Sequence, residues 1–141
     1  MREIHRCCIA LLSLAIASCY PSKVEDSGDT ETDLTPPEIA CAPIPDGQIA
    51  GQDIPVSCDA TDNVGIYVVE AYLEQPGDAA WQQVVLEPTE GASPYLGTLP
   101  GDSILPDRMD VVFGAKDLSK NTATSPPHGF EVPYTFTVIA E

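Results

Sequence analysis

Side-chain oxygen is the most plentiful chemical resource of this chain, which carries 22 Asp and Glu against six Lys and Arg. Glu38, Asp59, Asp62, Asn63, Asp117 and Asn121 are of the type that Ca²⁺ takes, since it prefers six to eight oxygen ligands. The same residues have a simpler use. Asp62 and Asn63 would shape a turn, and Asp117 and Asn121 would fix a hairpin, through side chain to backbone hydrogen bonds. No EF-hand loop or Ca²⁺-binding nonapeptide repeat is present, so turn formation is the default and no cofactor other than Ca²⁺ is in view. Aromatic chemistry is the second resource. Tyr72, Trp81 and Tyr95 could stack on a sugar ring or anchor a protein partner, or simply cap a core. Catalytic chemistry is poorly supplied. His128 stands in Pro126-Pro127-His128-Gly129, no HExxH or glycine-rich phosphate cradle occurs, and no Ser, Cys and His arrangement suggests a nucleophile. The expectation is a protein that is not an enzyme.

At the N-terminus, Arg2 and Arg6 precede an apolar run from Cys7 to Ala17, the pattern of a secretory signal. The run is too short to span a bilayer, which takes roughly 20 apolar residues. Its end, Ile16-Ala17-Ser18-Cys19, resembles the lipobox of bacterial lipoproteins. The resemblance implies cleavage after residue 18, lipidation of Cys19, and a membrane partner reached through that lipid in the cell envelope. Tyr20 follows where an Asp would favour inner-membrane retention, so the outer membrane or cell surface is the expected location. Of five cysteines, Cys7 and Cys8 would leave with the signal and Cys19 would carry lipid. Cys41 and Cys58 remain, an even pair in an exported chain and so an expected disulfide. It closes a loop of about 17 residues, a constraint on the order of 3 kcal/mol in the chain-entropy model. Losing Arg2, Arg6 and Glu3 leaves four basic against 21 acidic residues, a balance that opposes nucleic acid and anionic lipid as surface partners.

Residues 20–35 are polar and acidic, with Val24 and Leu34 as the aliphatics, too few for a core. Residues 19–35 read as a lipidated, disordered tether after the 1–18 signal, and Pro36-Pro37 opens a single domain over 36–141. Within that domain the apolar residues repeat with period two. Ile39 and Cys41 alternate, then Ile54, Val56, Cys58 and Ala60, then Tyr67, Val69, Ala71 and Leu73. Trp81 to Leu86 and Pro94 to Leu99 read as a fourth and fifth strand. Met109, Val111, Phe113 and Ala115 make a sixth; Val132, Tyr134, Phe136 and Val138 make a seventh. Turn residues separate the runs, among them Asp62-Asn63, Gln75-Pro76-Gly77-Asp78 and Glu90-Gly91. About seven short strands without a helical stripe predict an all-β fold, an antiparallel β-sandwich.

The segments Thr61-Asp62-Asn63-Val64-Gly65-Ile66, Ala115-Lys116-Asp117 and Asn121-Thr122-Ala123-Thr124-Ser125-Pro126 resemble immunoglobulin-like and fibronectin type III-like modules of bacterial exported proteins. Lys120 stands where those modules usually have Gly. The resemblance covers about 36–139 and implies an immunoglobulin-like sandwich in which the first two strands are neighbours, bridged by Cys41 and Cys58. It also implies that the second-to-third and sixth-to-seventh strand loops meet at one end, near Glu38. A weaker resemblance to cadherin-like domains associates that end with Ca²⁺. Such folds serve many functions. The expected function is a non-catalytic binding, adhesion or accessory module for an envelope protein or glycan, or alternatively a calcium-stabilised spacer of an envelope assembly.

Overall fold

The computed structural model describes residues 32–78 and 80–141. The signal, Cys19 and nearly all of the tether lie outside these residues. The strands are β1 (Glu38–Cys41), β2 (Gln48–Ile49), β3 (Ile54–Thr61), β4 (Ile66–Glu74), β5 (Gln82–Thr89), β6 (Ala92–Leu99), β7 (Asp107–Asp117), β8 (Thr122–Ser125) and β9 (Tyr134–Ile139). Two single-turn 3₁₀ segments, Gly101–Ser103 and Gly129–Glu131, interrupt the connections. The protein is an all-β sandwich. Asp33–Glu141 forms one compact unit, and it contains the whole described core.

One layer is β1–β3–β6, antiparallel throughout. The other is built on β4 and β7, with β8 and β9 along the far edge of β7. Strand β5 belongs to both layers. Its residues Gln82–Leu86 pair with β4, while Glu87 to Thr89 pair with β6, so one strand turns the corner between the sheets. The β5–β6 hairpin closes through Glu90 and Gly91, at φ +53° and +80°. Two successive positive φ values match the right-handed twist of the strands they join.

Alternation decides which side chains enter the core. Along β3 the pattern is strict, with Ile54, Val56, Cys58 and Ala60 buried and their neighbours turned outward. Val69, Ala71 and Leu73 of β4 meet them, with Phe113 and Phe136 among the largest fully buried side chains. Emptying such a site usually costs about 3–5 kcal/mol. Three expectations need correction. Tyr67 does not share the inward face of Val69, because the β4–β7 register shifts between Ile66 and Val68, leaving Tyr67 69% exposed. Val132 is not in a strand and is exposed. The sheet is not wholly antiparallel, since the two-residue β2 pairs in parallel with β9.

Residues 122–139 form two strands on one ladder, and the second of them, β9, takes the place of the expected seventh strand. β8 pairs with Phe113 to Lys116 and β9 with Asp107 to Val111, both antiparallel to β7. Residues 126–133 leave the ladder between them. Pro126, Pro127 and Pro133 bracket this excursion, and none has an N–H to donate.

Cys41 and Cys58 form a disulfide. They are opposed in the β1–β3 register, with Cα atoms 4.0 Å apart. The bond fastens a four-residue edge strand to a long inner one. Reducing it should lower the unfolding free energy by an amount on the order of 3 kcal/mol. Denaturant unfolding with and without reductant measures this, and coincident midpoints would show that the bond adds nothing.

Candidate functional site

Two places gather chemistry. The first is the end of the sandwich where the β3–β4 loop meets the β7–β8 turn. Asp62 Oδ1 accepts from the backbone N–H groups of Val64 (2.9 Å) and Gly65 (3.2 Å), which bends the chain out of β3. Asp117, 1% exposed at the end of β7, accepts at Oδ1 from Asn121 N–H (2.8 Å) and at Oδ2 from the Asn121 side-chain amide (2.8 Å). Asp62, Asp117 and Asn121 thus make the turn-forming hydrogen bonds expected of them, whereas the Asn63 side chain donates to Asp33 instead. The Asn121 amide also donates to the backbone carbonyls of Asp33 (3.0 Å) and Thr35 (3.3 Å). It joins the N-terminal approach to the β7–β8 turn.

Oxygens of Asp33, Asp62 and Asp117 converge within 4.8 Å of one another. Of the residues expected at this end, Asp62, Asn63, Asp117 and Asn121 gather here. Asp59 does not; it is exposed on the outward face of β3 and accepts from Ser93 Oγ at 2.8 Å. Glu38 is exposed and lines a shallow pocket of about 330 Å³ with Thr35, Pro36, Thr61, Asp62 and Asn63, beside the carboxylate trio but not part of it. Asp33 takes the third place. Sequence reasoning put it in the tether, although an Asp two residues before Thr35 offers a local turn, and Thr35 N–H does donate to Asp33 Oδ1 at 3.1 Å. The Asn63 amide donates to the same oxygen at 3.1 Å. Those two hydrogen bonds, Asn63 first, hold the Asp33 carboxyl below its ordinary range.

Turn formation leaves one atom without a role. Asp62 Oδ2 is enclosed and has no hydrogen-bond partner among the described residues. An unsatisfied buried polar atom commonly costs about 1–3 kcal/mol, and more when charged. Three close carboxylates, one with an unmatched oxygen, form a donor set suited to a hard cation.

The second place is the outward face of β4, β7 and β8. Alternation turns Glu70 and Tyr72 outward on β4, Gly114 and Lys116 on β7, and Thr122 and Thr124 on β8. Onto this face the 126–133 excursion lays Phe130. Its ring meets Tyr72 edge-on at 5.2 Å and Trp81 edge-on at 5.0 Å, distances typical of favourable aromatic pairs. Val112, opposite Tyr72 on this outward face, is fully buried where the excursion packs on β7. Sequence reasoning identified Tyr72 and Trp81 but not Phe130, which stands in a proline-rich loop outside any period-two run. Tyr95 is a correction. It is 8% exposed and points into the core opposite Cys58, so it is absent from this face. His128 is exposed in the excursion.

Beside the aromatic cluster lies a groove of about 280 Å³, with Tyr72, Phe130, Glu70, Lys116, Thr122 and Thr124 among its lining and Gly114 in its floor. The Tyr72 hydroxyl donates to one Glu70 carboxylate oxygen and the Gln83 amide donates to the other. Burial, reinforced by Glu70, pushes the Tyr72 hydroxyl up to about 12. Among the described residues the ion pair is Arg108 with Asp110 at 3.2 Å, and Lys116 forms none.

No protein-family model matches the chain, and no curated protein matches it either. The class that fold and site define is a disulfide-bonded β-sandwich with an acidic end and an aromatic-walled groove.

Tyr72 supplies a pH test. A phenol whose folded value lies above its unfolded value of 10.0 stays neutral while the unfolded chain ionises. Stability should therefore fall as pH rises from about 10 to about 12. In a 295 nm absorbance titration Tyr72 should ionise near 12. Glu70→Gln should shift that step down only part of the way to 10.0, because burial is the larger cause. A single step near 10 for every tyrosine would contradict the burial of Tyr72.

Proposed function

We propose that this chain is a lipid-anchored, non-catalytic binding module of the cell envelope, of immunoglobulin-like type, that meets its ligand on the β4–β7–β8 face. The N-terminal Ile16-Ala17-Ser18-Cys19 supports the anchor. The observation that carries the binding role is the groove itself. A half-exposed Phe130 is braced between Tyr72 and Trp81 beside a floor with no side chain at Gly114. Rigid aromatic walls with a few polar groups are the usual make-up of a recognition site. The anchor is tested by labelling cells with an alkyne-tagged fatty acid. The label should enter the wild-type chain, vanish in Cys19→Ser, and leave that variant outside the membrane fraction. The binding role is tested with the unlipidated chain 20–141 on isolated cell envelopes. Retention should be saturable and fall at least tenfold in Gly114→Val, which fills the groove; equal retention of the two proteins would remove the groove from function.

A second reading rests on a different atom. The unmatched Asp62 Oδ2 beside Asp33 and Asp117 supports a calcium-stabilised end that ties the N-terminal approach to the domain. Calcium in excess should then raise the melting temperature saturably, since a ligand that binds only the folded state stabilises it. Magnesium at matched ionic strength should do less, and Asp62→Asn should abolish the effect. Superimposable melts in calcium and chelator would leave these carboxylates as turn-formers.

A further inference from the structure

We infer that the groove over Gly114 is a subsite for one neutral pyranose ring. This names the ligand class of the binding module proposed above and rests on that reading.

Gly114 is the first argument. It lies in the middle of β7, opposite Glu70 on β4 and Thr124 on β8, where glycine weakens a strand and often marks the close approach of a ligand. Its backbone is not in the left-handed region, and an added Cβ would come no nearer than 3.5 Å to Tyr72 Cε2. Neither backbone conformation nor crowding requires glycine there. What its missing side chain provides is depth.

Size and surroundings narrow the occupant. A volume of about 280 Å³ is at the small end of ligand sites, enough for a ring but not for a folded partner. Both β4 and β7 are paired on each side, so these two strands of the floor present no free backbone to an added peptide strand. The walls are of two kinds. Phe130, 48% exposed, offers an apolar surface held by two other rings, suited to the C–H face of a sugar. Lys116 offers up to three donors and Thr122 and Thr124 offer hydroxyls. Glu70 already accepts from Tyr72 and Gln83, yet a carboxylate has about four lone-pair sites, which leaves capacity for a ligand hydroxyl. A donor and an acceptor next to an aromatic wall match the alternating hydroxyls and C–H faces of a pyranose.

Charge decides between neutral and acidic sugars. Lys116 and Glu70 nearly cancel within the groove, and the chain after residue 18 carries four basic against 21 acidic residues. That field repels uronic acids, sulfated sugars and phosphates.

The chain has one tryptophan, and Trp81 touches the groove wall through Phe130, so intrinsic fluorescence reads occupancy. Unlipidated chain 20–141 is titrated with neutral oligosaccharides of glucose, mannose, galactose and N-acetylglucosamine, with polygalacturonate as the acidic counterpart. At least one neutral series should give a saturable change that weakens tenfold or more in Gly114→Val. Lys116→Met, at a position whose loss leaves the core untouched, should weaken it several-fold and serves if Gly114→Val does not fold. Thermal melts confirm that the variants fold. Tighter binding of polygalacturonate, or sugar binding indifferent to both substitutions, overturns the inference. So does silence of every neutral series. If groove-dependent envelope retention persists in that case, the ligand class fails while the binding module stands; if retention is also lost, both fail.

Discussion

Three prolines that cannot donate to a β-ladder govern the outward face of β4, β7 and β8 in this molecule. Pro126, Pro127 and Pro133 force the last strand to leave the edge of β7 and return eight residues later as β9. A continuous strand would have kept residue 130 in the ladder, with its side chain confined to one face of the edge. The excursion instead carries Phe130 across to Tyr72 and Trp81 and walls one side of the groove. The ladder on either side is preserved because β8 and β9 keep their pairing to β7. The interruption of the strand and the aromatic wall of the groove thus have the same cause.

The acidic end follows another logic. Asp117 is almost wholly buried, a state carboxylates tolerate only when well partnered. Asn121 supplies those partners from four residues on, and through the same amide reaches Asp33 and Thr35. Asp33 and Thr35 are in this way tied to the compact unit Asp33–Glu141. This end and the groove lie close along β7, since Lys116 precedes Asp117 and faces outward where Asp117 faces inward.

What could be read from sequence was whatever repeats locally. Period-two alternation in Ile54–Ala60 and Met109–Ala115 located inner strands and core, and the even pair Cys41 and Cys58 identified the disulfide. Asp62, Asn63, Asp117 and Asn121 announced their turns. The misses share a physical reason, which is that tertiary contacts carry no local period. Phe130 sits in a loop without alternation. Asp33 contributes through residues 63 and 121, far along the chain. Tyr67 reads as inward by count, but a register shift of one residue reverses the side it faces. Tyr95 looks like a strand-end aromatic until β6 is seen to begin at Ala92 and to share its inward face with Leu99.

The place of the disulfide has a mechanical meaning. Any tension entering from the N-terminal side of the compact unit meets the hydrogen bonds at Asp33 and Thr35 and then β1, a short edge strand whose hydrogen bonds could peel one after another. Peeling must stop at Cys41, the last residue of that strand. Beyond it, load passes through a covalent bond to Cys58, within a strand flanked on both sides by β1 and β6. The fold therefore stops the unravelling of its first strand with a chemical bond, and the groove and the turns at Asp62 and Asp117 lie downstream of that clamp in the chain.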